Sequence, residues 1–337
     1  VHLEKRKRKR ITQDLNNKKE EREKERRENE MNFDLERLST EERRKTNFLL
    51  YGNLTLWTSL SDYNLFVNLL LKEIEINWDF LPRDLLDCSC AFLLTNPSLI
   101  NRYLRLVMEK ANVYQVPLIL DILSTIELWF RYLVDNGLTM PDDFDHEFLC
   151  EAFDVIFDTE YHSIVQKTLT ILYNFAPFFG DKGRLEIFNR IFQKHFFTLF
   201  LNWEVAIRNS FQQILVFRAI KTKRTIMSSK GFILSEFASI SPSGKKVEEE
   251  EEEEVSEETL MTDAHLFAKI ETYKTMVEDQ ARDPELTYYP KRHQVYAPQA
   301  LMEYRTYLVF YYQWLEKREK EVPKLLPHTI VRDRIQK

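Results

Sequence analysis

Two arginines are the side chains whose setting most demands a chemical explanation. Arg208 and Arg218 lie within Trp203–Arg218, a stretch otherwise rich in Ile207, Phe211, Ile214, Leu215 and Phe217. A guanidinium in apolar surroundings is costly unless a carboxylate or a carbonyl oxygen accepts its N–H groups. Two uses fit that requirement. One is a bolt between neighbouring helices, with Arg208 paired to a carboxylate such as Glu204 or Asp181; the other is a ridge that meets a partner protein. The bolt is the expectation. Trp203, Arg208, Phe211 and Arg218 are therefore the candidate structural or partner-contact residues.

No catalytic constellation accompanies them. The histidines (His2, His146, His162, His195, His265, His293, His328) are scattered, and no two stand three or four apart as paired metal ligation on a helix requires. His195 lies between Phe192 and Phe196 and is expected as a core or boundary histidine rather than a general base. Glu147 and Glu151 stand one turn apart, a spacing that exposed, solvated carboxylates commonly show. Cys88 and Cys90 form a C-x-C, but on a helix two residues turn the side chains about 200° apart, which opposes a shared metal. With Cys150 they are expected as buried, reduced packing residues. Neither a P-loop, a nucleophile elbow, an H-E-x-x-H zinc pattern nor an EF-hand loop occurs. The expectation is a non-enzyme with no cofactor, no metal and no small-molecule substrate.

Composition points the same way. Phosphate- and dinucleotide-binding enzymes need glycine-rich turns for close backbone approach. This chain has six glycines in 337 residues, which argues against those classes. Hydrophobic residues make up 44 %, enough for a sizeable core, and the net charge of −6 gives no general pull toward nucleic acid or anionic lipid. Val1–Glu30 is different, with 12 basic and 8 acidic residues and a basic run at Lys5–Arg10. It is expected to be a solvated helix laced by pairs such as Glu20–Lys24 and Glu23–Arg27. An import signal or a contact with an anionic surface is the alternative. No apolar run approaches the roughly 18 residues of a spanning helix, and the charged start is unlike a signal peptide. The chain opens on valine and is taken as part of a longer one. Its location is expected to be cytoplasmic, with membrane association through parts of the full-length chain not present here left open.

The elements that must position these residues are helical throughout. Pro82 precedes a helix over Arg83–Leu94, and Asn96-Pro97 caps and opens the next, over Ser98–Ala111. Ile100, Leu104, Val107 and Met108 share one stripe of that helix. Its partner over Val116–Val134 carries Leu120, Leu123, Ile126, Phe130 and Leu133, and Asn136-Gly137 signals its end. The two-helix pattern then recurs. Pro141, Asp142 and Asp143 open one pair, whose second helix starts at Glu160 or Tyr161. Gly180-Asp181 opens another, with Leu185, Phe188, Phe192, Phe196 and Leu199 on its first helix and Val205 to about Lys223 forming its second. Starts at Asn96, Met140 and Asp181 give a period of a little over about 40 residues, in the armadillo/HEAT range.

Thr225–Glu254 breaks the order with Ser239–Gly244 and the acidic run Glu248–Glu254, and is expected to be a disordered linker. Helices resume over Glu257–Asp279 and Gln299–Lys320, separated by a loop over Asp283–Pro298 with three prolines and three tyrosines. The expected fold class is all-α, an irregular armadillo/HEAT-like stack of helix pairs. Its parts are a charged segment over 1–39, a helical-repeat-like core over 40–224, an acidic linker over 225–256 and C-terminal helices over 257–337 that pack back on the core.

The run from His195 to Arg218, Phe-Phe-Thr-Leu-Phe-Leu-Asn-Trp203 followed by Arg208, Phe211, Leu215 and Phe217-Arg218, resembles the mainly fungal family known as domain of unknown function 1765. Asn174-Phe175-Ala-Pro177 before it and the Tyr/Trp helix at Tyr307–Trp314 are similar in order, so the resemblance covers roughly Leu93–Leu325. It implies a large, non-enzymatic eukaryotic helical protein with a scaffold-like role, and it supplies no catalytic residues. Stacked helix pairs expose long surfaces suited to peptide or protein partners. The functional expectation is thus a non-catalytic interaction scaffold or adaptor binding other proteins, with no nucleic acid. Peripheral membrane association through the basic N-terminal segment is the first alternative, and an enzyme on a helical scaffold the second.

Overall fold

The structure, a computed structural model, describes residues 62–220, 257–316 and 322–325. The charged segment over 1–39, the start of the core, the acidic linker and the basic end of the last helix lie outside the described residues. Within them the fold is all-α. Helices α1 (Tyr63–Ile76), α2 (Arg83–Thr95), α3 (Leu99–Met108), α4 (Val116–Asp135), α5 (His146–Phe157) and α6 (His162–Phe175) lead through a 3-10 turn at Ala176–Phe179 into α7 (Gly180–Phe200) and α8 (Val205–Phe217). After the linker come α9 (Glu257–Arg282), the single turn α10 (Lys291–Gln294) and α11 (Ala297–Glu316).

Local sequence sets most of these boundaries. The Asn96 side chain accepts from the Ser98 N–H at 3.2 Å, ahead of α3. Gly137 takes a positive φ of 67°, so that its N–H and that of Leu138 return to Val134 and Leu133 and close α4. The start of α5 differs from the sequence expectation. Pro141–Asp143 form a turn, and Asp145 caps the helix by accepting from the Phe148 N–H at 3.0 Å. Asp143 is drawn away because it accepts from Ser98 Oγ at 2.7 Å, tying the turn to α3. Pro298 also differs: it lies in the first turn of α11, where its missing N–H costs nothing.

The helices form two rows. Helices α1, α3, α5, α7 and α9 follow one another in the first, and α2, α4, α6, α8 and α11 in the second. Each helix packs against its sequence partner across the rows, and neighbours within each row pack as well, except α3 with α5. The junction of α3 with α5 is the loosest in the first row. It is pinned near its start by polar contacts, with Asn101 donating to the Asp143 carbonyl and Arg105 paired to Asp145.

The apolar stripes read from sequence face the seam between the rows. Ile100, Leu104, Leu123, Ile126, Phe130, Leu133, Phe188, Phe192 and Phe196 are buried, each adding about 1.5–3 kcal/mol of hydrophobic stabilisation. Trp129 fits among them because its indole N–H donates to Ser89 Oγ at 2.8 Å. From Ile207 onward helix α8 is enclosed by α6, α7 and α11, so even Asn209, Ser210, Gln212 and Gln213 are buried. Two of these amides reach α11: Gln212 donates to the Ala300 carbonyl at 2.9 Å and Gln213 to the Tyr307 hydroxyl at 3.4 Å.

Candidate interaction surface

Arg208 points from α8 to α11. Its Nη2 donates to Glu303 Oε1 at 2.8 Å, its Nε to the other carboxylate oxygen, and its Nη1 to the Asn202 carbonyl at 2.6 Å. Both side chains are buried, so the pair is sustained by its two-pronged geometry and by Gln299, which also donates to Glu303. Neither partner expected from sequence is used. Glu204 caps the start of α8 through Ala206, and Asp181 binds a different arginine, Arg184. Arg184 is itself buried in α7, where it pairs with Asp263 of α9 and donates to the Ala219 carbonyl at 2.6 Å. Two buried guanidiniums thus fasten α9 and α11 to the core.

The other candidates separate. Phe211 is buried against Phe192 and Phe196. Arg218 lies over the Tyr173 ring at 4.7 Å, where burial holds its guanidinium below the ordinary value. The Tyr173 hydroxyl donates onward to the Pro323 carbonyl at 2.6 Å. Trp203 alone turns outward, its ring meeting the edge of His162 at 4.3 Å.

A second polar cluster went unread in the sequence. Asp154 on α5 accepts from Arg190 Nε at 2.7 Å and Lys194 Nζ at 2.6 Å and faces His195 Nε2 at 2.9 Å, all three from α7. Burial raises its carboxyl, yet the hydrogen bonds from Lys194, Arg190 and His195 outweigh that and hold it below the usual carboxylate range. His195 is therefore a buried partner of a structural carboxylate. Cys150, one turn before Asp154, has its thiol pushed up to about 12 by burial, the reverse of an activated nucleophile. Cys90 is likewise buried and raised to about 11, but Cys88 is exposed, contrary to expectation, because it falls on the outer face of α2. Glu147 and Glu151 are both exposed on α5. Among the described residues, no group of three His, Cys, Asp or Glu side chains is arranged to hold a metal ion.

The turns inside successive helix pairs lie along one edge of the stack. The turn after α1 (77–82) reaches the start of α4, the turn after α3 (109–115) meets that after α5 (158–161) through Tyr114 and Tyr161 at 6.4 Å, and the turn after α7 (201–204) meets the start of α6 through Trp203 and His162. Each exposes one aromatic ring: Phe80 at 71 %, Tyr114 at 75 %, Tyr161 at 38 % and Trp203 at 57 %. A groove of about 150 Å³ lies between the first of these turns and helices α3 and α4, with Trp78, Asp79, Asp121 and Ile122 in its walls. A second groove, about 310 Å³, opens where α3 and α5 diverge, over Met108, Val113, Ile119 and Leu123 with Glu109 and Glu151 at its sides.

Together these features define an all-α protein of stacked helix pairs whose charged side chains in the interior serve packing. Among the described residues no helix is long and apolar enough to cross a membrane. Residues 100–219 match the model of the family described as protein of unknown function (DUF1765), which is the resemblance read from Phe197–Phe217. No curated protein and no solved structure matches the chain.

Proposed function

We propose that this chain is a non-catalytic interaction scaffold of the armadillo/HEAT kind, presenting a helical-repeat surface to other proteins. The observation that carries the proposal is the series of turns along one edge, each with an exposed aromatic ring, together with a groove beside Phe80 and a more apolar one between α3 and α5. Exposed large aromatics in series are uncommon on a surface that meets only water, and Trp and Tyr are the side chains that most often anchor protein interfaces. The interior charges support the same reading, since Arg184, Arg208 and Asp154 are committed to structural partners. Proximity labelling and affinity capture with the full chain test it. Reproducible protein partners are expected, and their absence in both assays would overturn the scaffold role. The basic run Lys5–Arg10 supports a second reading, peripheral membrane attachment. Liposome flotation with and without residues 1–30 decides it, and unchanged flotation rejects it.

A further inference from the structure

The edge that carries the aromatic rings also carries a one-sided charge. The four turns over 77–82, 109–115, 158–161 and 201–204 contain five carboxylates and one lysine. That lysine, Lys110, is already paired with Glu75 of α1 at 3.1 Å. Both grooves repeat the pattern locally. The first is lined by Asp79 and Asp121 together with Trp78 and Phe80. The second is lined by Glu109 and Glu151 among mainly apolar side chains. All four carboxylates are exposed, and Glu109 is also paired with Arg105 of α3 at 3.2 Å.

The apolar floor of the second groove, and the carboxylates and rings along the same edge, suit a chain segment that brings aliphatic and cationic side chains together. The carboxylates attract lysine or arginine, and the ring faces add cation–π attraction to the same groups. A membrane surface fits poorly, because anionic headgroups would be repelled by the acidic edge. Nucleic acid fits no better, since phosphate binding needs a surplus of lysine and arginine that these turns lack.

Resting on the scaffold reading above, we propose that the two grooves bind an extended, cationic peptide segment in which lysine or arginine alternates with aliphatic side chains.

The test uses the full chain and two labelled twelve-residue peptides, one of leucines spaced by arginine and lysine, the other with glutamate in place of every basic residue. Fluorescence anisotropy is expected to show binding of the cationic peptide only, weakening as salt rises. Tyr114→Ser combined with Phe80→Ser changes no charge and is expected to lower affinity about tenfold, as is Asp121→Asn combined with Glu151→Gln. Circular dichroism melting of each variant confirms that it is folded. Glutamine at two positions of Glu248–Glu254, which lowers the overall charge equally, is expected to leave affinity unchanged. Equal binding of both peptides, loss of binding in the Glu248–Glu254 variant alone, or binding of phosphatidylserine vesicles instead of the peptide would each overturn the proposal. So would unchanged affinity in both edge variants. If protein partners are captured equally by wild type and edge variants, the scaffold role stands and this edge is not its site. If no partner is captured, the scaffold role itself fails.

Discussion

Arg208 and Glu303 lie 95 positions apart and meet as a buried, two-pronged ion pair between α8 and α11. Removing either partner leaves an uncompensated charge in a site closed to water. Arg208→Ala or Glu303→Ala is expected to cost about 3–5 kcal/mol of stability. The double change Arg208→Met with Glu303→Leu fills the same space without charge and should be more stable than either single variant. Urea denaturation of the four proteins measures this, and additive losses would show that the two side chains do not act as a pair.

Gly183 sits in the first turn of α7, where alanine would ordinarily favour the helix by up to about 1 kcal/mol. Here a β-carbon would stand 2.1 Å from His146 Nε2, and the imidazole is held against Phe144 and Phe179. The clash outweighs the propensity, so Gly183→Ala is expected to destabilise by about 1–3 kcal/mol. Adding His146→Ala removes the obstacle, and the double variant should lose less than the two single losses combined. Thermal melts of the three variants check it.

Acidification should weaken the fold in two stages. Burial holds His146 below its ordinary value of 6.5, so the unfolded chain takes up that proton first. Its contribution to stability is unchanged at pH values above 6.5 and declines as the pH falls below it. Asp154 is also held low, with an unfolded value near 3.8. Its contribution is fully present above that value and is lost as the pH falls through the lower, folded one. Denaturation midpoints across pH 7.5 to 3 are expected to show both declines, with His146→Asn flattening the first and Asp154→Asn the second.

The three cysteines should divide into one fast and two slow thiols. Cys88 is exposed, whereas Cys90 and Cys150 are buried with thiols pushed up to about 11 and about 12. A thiol reagent at neutral pH is expected to modify Cys88 promptly and the other two only on unfolding. Mass spectrometry of the labelled peptides gives the order.

The sequence was informative wherever a pattern is local. Amphipathic spacing located the helices from α2 to α8, because burial against a seam forces apolar side chains onto one face. Asn96, Gly137 and Pro82 marked boundaries because each has a specific backbone consequence. The need of Arg208 for a buried acceptor was equally readable. Its actual partner was not, because Glu303 lies beyond the linker and its position on α11 depends on how the last helices fold back. Asp263 and Asp154 were hidden for a related reason. An acidic residue on a helix looks solvent-facing until its neighbours are known, and here Arg184 and the Arg190–Lys194–His195 group turn it inward. The grooves were invisible from sequence because each is shaped by helices from two different pairs.

The two arginine pairs also bear on where this protein can be divided. Residues 100–219 coincide with the family match, yet Arg184 and Arg208 inside that stretch find their carboxylates at Asp263 and Glu303 outside it. A cut at those borders would take Glu303 from Arg208, leave Arg184 with only Asp181 as a carboxylate partner, and strip from α8 the helix that covers one of its sides. The stretch matched by the family model and the folding unit are therefore different lengths of chain, and the longer one reaches at least to α11.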